Sequence, residues 1–252
     1  MRSAKNVGRV VGMLLLVHLA AGLTVPFIVL DRVRGSAGFL ASAAGSSAQF
    51  RAAVMLLFVG GAVAVGIAIA ALPVFRRYSS PMALWLLALA VAGFSLQAVD
   101  NGALLSMLSL SREYAQADAA RTELYQALAV VVGSARRWAH YTYLLVAGSW
   151  IFLLYGLLYR FRLVPRALAA FGLVGSLLQI TGVTIRALWG YPPITVLATP
   201  LAPAYVALAV WLMVKGFDDR HRPLRAPAHR PAPDRPHTDG RVPLQSRRDA
   251  GA

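Results

Sequence analysis

The sequence predicts an all-α, polytopic membrane protein with six transmembrane helices in one bundle. The first observation is a series of long apolar runs, because a bilayer core about 30 Å thick needs roughly 20 apolar helical residues to cross it. The second is composition: 58% of the 252 residues are hydrophobic and 14% are charged, whereas soluble domains carry about 25% charged residues. The predicted helices lie near residues 8–30, 51–74, 82–108, 137–160, 166–189 and 194–215, within a transmembrane domain over residues 1–215.

The first apolar run needs to be distinguished from a cleaved secretory signal. Arg2, Lys5 and Arg9 precede an apolar stretch from Val10 to Leu30, and basic residues before an apolar stretch are typical of such signals. This stretch has 21 residues, whereas the apolar core of a signal has about 7–15. We therefore expect a retained first membrane helix.

Basic residues predict the orientation of the bundle in the cell (inner or plasma) membrane. With the N-terminus inside, 17 of the 25 lysines and arginines fall on the cytoplasmic side, as the positive-inside rule describes. Both termini are therefore predicted to be cytoplasmic. The short turns after helices two and four carry arginines that we also expect to contact anionic lipid headgroups. These are Arg76, Arg77, Arg160, Arg162 and Arg166.

Three segments outside the helices have distinct compositions. Residues 31–50 are rich in Gly, Ser and Ala and are predicted to form a flexible loop. Within residues 111–136, Leu124, Leu128 and Val131 recur at helical spacing. This pattern indicates either an amphipathic helix on the outer face of the bundle or a solvated helical connector. Residues 216–252 contain six prolines and are predicted to form a disordered cytoplasmic tail.

Small residues at intervals of four predict close helix packing. Gly8 and Gly12 form a GxxxG pattern, and Gly60, Ala64 and Ala68 continue this spacing in helix two. Such residues let helix backbones approach one another in a membrane. Packing within the bundle is the first interpretation of this pattern, and a homodimer face is the second.

Two charged residues lie inside apolar runs and suggest a candidate site. Asp100 lies about 27 Å along helix three and Arg186 about 30 Å along helix five, at 1.5 Å per residue. Charged groups within a membrane are costly and are usually paired or functional. We therefore expect the two to face each other or to share an outward-facing polar pocket, a structural ion pair being the alternative. The candidate ligand-binding residues are Asp100, Asn101, His140, Tyr141, Thr184 and Arg186.

Other residue patterns exclude several classes of site. The chain has no cysteine, which removes thiolate ligands and nucleophiles. It contains no HExxH, GxSxG or P-loop motif, so we expect no enzyme activity, no cofactor and no metal. The net charge of +15 is spread over loops and tail rather than one face, so nucleic acid is not expected. His18 is interpreted as a core histidine bonded to a neighbouring helix, or else as a proton relay.

The function that these patterns favour is a non-enzymatic accessory or sensory component of the membrane. The alternative is a small-molecule or proton-coupled transporter, in which two copies could dimerise to give twelve helices. Many carriers contain inverted repeats, and helices one to three show no convincing similarity to helices four to six.

Residues 135–175 read ARRWAHYTYLLVAGSWIFLLYGLLYRFRLVPRALAAFGLVG and resemble a bacterial membrane family catalogued as domain of unknown function 4386. The matching motifs are Arg137-Trp138, Leu158-Tyr159-Arg160, Leu163 to Arg166, Gly172 with Gly175, and Leu110 to Tyr114. The resemblance spans roughly residues 7–215 and implies a six-helix membrane protein with no assigned activity. Family members carry an Arg and a Glu in helix three, where this chain has Ser95 and Gln97. The resemblance therefore transfers no chemistry based on that pair.

Overall fold

The computed structural model describes residues 4–25, 39–40, 43–190 and 195–218. Within these residues the chain forms six α-helices and one short 3₁₀ helix. The α-helices are α1 Ala4–Thr24, α2 Ser47–Phe75, α3 Ser80–Tyr114, α4 Ala119–Arg160, α5 Arg166–Trp189 and α6 Leu201–Val214, and the 3₁₀ helix is Thr195–Ala198. Five of them, α1 to α5, are long and apolar enough to cross a membrane. The predicted all-α, polytopic membrane fold is confirmed.

The six helices form a closed ring in chain order. Each helix packs against the next, and α6 closes the ring by packing against α1. We call the end that carries the starts of α1, α3 and α5 the tail end, because the C-terminal tail leaves the bundle there. The opposite end is the distal end. The candidate residues Asp100, His140 and Arg186 belong to the distal end.

The contact between α1 and α6 depends on glycine. A Cβ added at Gly12 would lie 2.7 Å from the Ala209 carbonyl oxygen, and one at Gly8 would lie 2.6 Å from the Phe217 nitrogen. Both distances are too short for real atoms, so any larger residue would push α1 away from α6. The predicted packing role of the GxxxG pattern is confirmed.

The ordered bundle continues past the predicted boundary at residue 216. Phe217 is 4% exposed, and its ring lies 5.7 Å from that of Phe75. The backbone N–H of Asp218 donates to the Leu163 carbonyl at 2.9 Å. The domain boundary placed at residue 215 was therefore too early, because an aromatic side chain beyond it is buried in the core. The predicted disordered stretch from residue 219 onward lies outside the described residues.

Helices α3 and α4 are much longer than predicted. They contain 35 and 42 residues, which corresponds to about 52 and 63 Å at 1.5 Å per residue. The segment 111–136 is not a separate amphipathic helix, since it is the end of α3, a short turn and the first part of α4. Asp118 caps α4 by accepting a hydrogen bond from the Arg121 backbone N–H at 3.1 Å. From that cap the helix runs without a break to Arg160.

The sixth helix is shorter than predicted and begins later, and it is not among the five helices that are long enough to cross a membrane. Helix α6 has 14 residues and starts at Leu201, after Pro200 at its N-cap. Proline has no N–H to continue a preceding helix, so the predicted helix 194–215 is divided into the 3₁₀ helix and α6.

Part of the Gly/Ser-rich loop is packed rather than flexible. Phe39 is buried, and its ring meets that of Phe50 at 5.6 Å. The Ser111 hydroxyl donates to the Leu40 carbonyl at 2.7 Å and accepts from the Ala44 N–H at 2.9 Å. Helix α2 begins at Ser47, before the predicted start at residue 51. The remaining loop residues, 31–38 and 41–42, lie outside the described part of the chain.

Candidate functional site

The candidate site is built around Asp100, which α3 buries against its neighbours. Asp100 is 1% exposed, and Gln97 and Asn101 on the same helix are 1% and 0% exposed. Gln97 and Asn101 are four residues apart and so lie on one face of the helix. Accordingly, Gln97 Nε2 donates to Asn101 Oδ1 at 3.0 Å. This polar face of α3 points into the bundle.

Helix α4 supplies both ionic partners of Asp100. His140 Nδ1–H donates to Asp100 Oδ2 at 2.8 Å, and Arg136 Nε lies 3.4 Å from Asp100 Oδ1. Arg136 and His140 are four residues apart, so one turn of α4 presents both to the same carboxylate. We name these three residues the carboxylate cluster.

The direct pairing of Asp100 with Arg186, one of the two arrangements expected, is not found among the described residues. Arg186 Nε instead donates to the Tyr141 hydroxyl at 3.0 Å. Because Tyr141 follows His140 directly, Arg186 and Asp100 do lie at one level of the bundle, on either side of α4. Counting residues along the helices therefore gave the common depth of Asp100 and Arg186. The sequence did not indicate Arg136 as a partner of Asp100, because Arg136 was assigned to a connector outside helix four.

The ion pair between Arg136 and Asp100 is not a well-formed hydrogen bond. Both atoms are close enough for charge interaction, but Asp100 Oδ1 and Arg136 Nε have no hydrogen-bond partner among the described residues. Asn101 Nδ2 is likewise buried without a partner there. Buried polar atoms are normally satisfied, so these three atoms retain unused hydrogen-bonding capacity.

The carboxylate cluster is open on one side. The Asp100 side chain is 1% exposed, whereas those of Arg136 and His140 are 28% and 36% exposed. The carboxylate is thus sealed inside the bundle, while its two basic partners reach the surface of the distal end.

Thr184 does not extend this site. Its hydroxyl donates to the Ile180 carbonyl of its own helix at 2.8 Å. Of the six candidate residues, Asp100 and His140 belong to the carboxylate cluster, and Asn101 lies beside Asp100. Tyr141 and Arg186 form a second pair, and Thr184 bonds only to its own helix. Arg136 is the residue that the sequence-based set missed, although its four-residue spacing from His140 was a signal for it.

His18 lies outside the cluster and makes the interhelical bond that was predicted. Its Nδ1–H donates to the Gly60 carbonyl on α2 at 3.2 Å. The ring centroid lies 5.8 Å from Trp150 and 6.0 Å from Tyr205. His18 therefore connects α1 to α2 and packs among aromatic side chains of α4 and α6.

The comparisons with known proteins identify a family. A model described as "Domain of unknown function (DUF4386)" matches residues 10–216, which include most of α1 and all of α2 to α6. The chain belongs to this family. The resemblance seen in the sequence is thereby confirmed. No curated protein and no solved structure matches the chain.

In this DUF4386 chain the carboxylate cluster and the Tyr141–Arg186 pair fall inside the matched segment. The described residues contain no group of three or more His, Asp or Glu side chains that could hold a metal ion. What the cluster offers chemically is one carboxylate shared by two basic groups, together with unused donors beside it. Such an arrangement can hydrogen-bond an anion through its basic groups.

Proposed function

We propose that this chain is a non-enzymatic accessory or sensory component of the cell membrane, and that its carboxylate cluster binds a small anionic ligand. The observation that carries this proposal is the balance of charge at Asp100. One buried carboxylate faces both Arg136 and His140, and both basic side chains remain partly exposed.

The hydrogen-bonding state of Arg136 supports an anionic ligand. A guanidinium carries five N–H donors in a planar fork that matches carboxylate and phosphate groups. At 3.4 Å and without hydrogen-bond geometry, the contact with Asp100 uses little of this capacity. His140 donates to Asp100 through Nδ1, so its Nε2 can donate to an anion only when the imidazole is protonated.

The position of the cluster supports a sensory role. It joins α3 to α4, the two longest helices. A ligand that draws Arg136 away from Asp100 weakens one contact between these helices. Binding can therefore shift the equilibrium between arrangements of α3 and α4, provided that the ligand prefers one of them.

The test is anion binding by the purified full-length chain in lipid nanodiscs. The probes are succinate and inorganic phosphate, with chloride at equal ionic strength as the reference. We expect one probe to bind, and R136Q to weaken its Kd by about 10-fold or more, because a charge-assisted hydrogen bond contributes about 1.5–3 kcal/mol. R137Q is the matched control, since Arg137 is the adjacent arginine and is exposed.

Two results would contradict the proposal. One is the absence of binding by both probes. The other is equal weakening by R136Q and R137Q, which would show a general charge effect rather than a site.

We further propose that the tail end lies in the cytoplasm and contacts anionic phospholipid. A groove of about 540 Å³ lies between α1 and α2 at this end. Its walls are mainly apolar, among them Val10 and Ile69, and Arg77 lies at its mouth. An acyl chain fits such walls and its phosphate complements the arginine, which supports the expected role of the tail-end arginines.

A small-molecule or proton-coupled carrier is the second candidate, and one observation favours it. The Tyr143 ring lies 6.2 Å from that of His140 in the carboxylate cluster. The hydroxyls of Tyr155 and Tyr205 are buried without a hydrogen-bond partner among the described residues. Polar groups thus continue from the distal end toward the middle of the bundle. Uptake of labelled solutes or protons into proteoliposomes tests this candidate, and no uptake across a broad panel would reject it.

A further inference from the structure

One face of α4 carries an exposed apolar stripe. Leu124, Leu128, Val131 and Trp138 are 59%, 40%, 65% and 54% exposed. Ala135 lies on the same face and is exposed as well. We name these five residues the α4 stripe.

Part of the α4 stripe lies too far along the helix for lipid to cover it. Leu124 is 36 residues from Arg160, the last residue of α4 at the tail end, which is about 54 Å at 1.5 Å per residue. A typical tilt of about 20° reduces the height only to about 51 Å. A bilayer with its headgroups is about 40–45 Å thick. Leu124 therefore lies beyond the bilayer and Leu128, at about 45 Å, lies at its edge. The outer end of the stripe thus faces water, where apolar surface usually marks an interface.

The neighbouring helix α3 packs on a different face of α4. Tyr125 meets Tyr114 of α3 at a ring distance of 6.5 Å, and Arg136 and His140 point to Asp100 of α3. The stripe residues lie on a different side of α4 from these three residues, and that side is turned away from α3. Among the residues that the structure describes, the packing of α4 thus leaves the stripe exposed.

The spacing of the α4 stripe is that of a coiled-coil seam. Successive members are separated by four, three, four and three residues, which is the heptad spacing that keeps a seam facing a partner helix. We propose that the stripe packs against the same stripe of a second copy of this chain. The two α4 helices then lie side by side about an axis along the membrane normal.

Insertion into the membrane favours a second copy of the chain as the parallel partner of α4. Copies inserted with one orientation have parallel α4 helices at the same height, which is the register that a parallel seam requires. They have also lost part of the rotational and translational freedom that association otherwise costs.

Charge does not oppose this pairing along the seam. The positions that flank it between Leu124 and Trp138 are uncharged, namely Tyr125, Ala127, Val132 and Ser134. Arg121, one turn before Leu124, would meet its own copy and so limits the seam at its outer end. This interface is independent of the proposed anion site.

The absence of native cysteine allows a direct test by single-cysteine crosslinking in membranes. The informative pair is V131C and V130C. Val131 belongs to the stripe, whereas its neighbour Val130 points away from it, and their exposures are similar at 65% and 71%. Neither substitution removes a buried side chain, so both variants should fold.

Under mild oxidation we expect the full-length V131C variant to form at least about tenfold more disulfide-linked dimer than V130C, because a disulfide requires Cα atoms within about 7 Å. L124C should also crosslink to itself, since a parallel seam places each residue opposite its own copy. Crosslinking should persist when the membranes are diluted with excess lipid.

Three outcomes would overturn the proposal. Equal crosslinking of V131C and V130C would indicate random collision. Crosslinking of V131C without L124C would indicate crossing or antiparallel helices. No crosslinking of either stripe variant would show that a second copy does not cover this face.

Discussion

Replacing Asp100 with Asn removes the buried charge of the carboxylate cluster and keeps its shape. The change removes the ionic part of the 2.8 Å bond from His140 and of the 3.4 Å contact with Arg136. Breaking a fully buried ion pair by removing one partner costs about 3–5 kcal/mol. Here the Arg136 and His140 side chains are 28% and 36% exposed, so solvent can stabilise the charges that remain. We therefore expect D100N to lower the free energy of unfolding by about 2–3 kcal/mol.

The assay is reversible unfolding of the full-length protein in bicelles by titration with SDS, followed by circular dichroism. D118N is the matched control, because Asp118 caps α4 through one exposed hydrogen bond and Asn is an equally good N-cap. It should change the free energy of unfolding by less than about 0.5 kcal/mol. Equal effects of D100N and D118N would refute the assigned importance of the buried carboxylate.

Two further predictions concern packing and lipid contact. G172A should lower the free energy of unfolding by about 1–3 kcal/mol, because its Cβ would overlap the Tyr155 ring. G156A is the control, since the space around its new Cβ is open. A similar loss of stability in both variants would contradict the packing role of Gly172. R77Q should weaken the apparent affinity for phosphatidylglycerol about fivefold, because one basic residue contributes about 1 kcal/mol. The measurement is the stability gained in phosphatidylglycerol nanodiscs relative to phosphatidylcholine nanodiscs. Arg51 at the distal end supplies its control, R51Q, and equal effects of the two would argue against a tail-end lipid site.

The candidate site was only partly predictable from the sequence. Asp100 and Arg186 stood out because charge inside an apolar run is costly, and their similar depth followed from counting residues. Arg136 did not stand out, since it lies at the edge of its apolar run and the start of helix four was placed after it. Whether an arginine at such an edge faces solvent or a buried acid depends on helix rotation, which is set by packing against other helices.

The helix boundaries were likewise only partly predictable from the sequence. Apolar length predicted the five helices that are long enough to cross a membrane, because the bilayer imposes a minimum length on each crossing. It could not predict that α4 begins at Ala119, since outside the bilayer nothing requires a helix to end where the apolar run ends. Phe217 was assigned to the tail by composition, yet it is buried against Phe75, and a single aromatic residue in a polar segment gives little sign of this.

The sequence by itself determined that this is a membrane bundle of six helices, which levels of the bundle hold charge, and which glycines allow close packing. These properties follow from the solvent and from local chain geometry, and both act on residues in order along the chain. Only the tertiary structure decided that Asp100 pairs with Arg136 and His140, and that the α4 stripe stays exposed among the described residues. Those outcomes depend on which faces of helices distant in sequence meet. The physical reason is that side-chain packing between helices sets both the rotation of each helix and its position along the bundle axis.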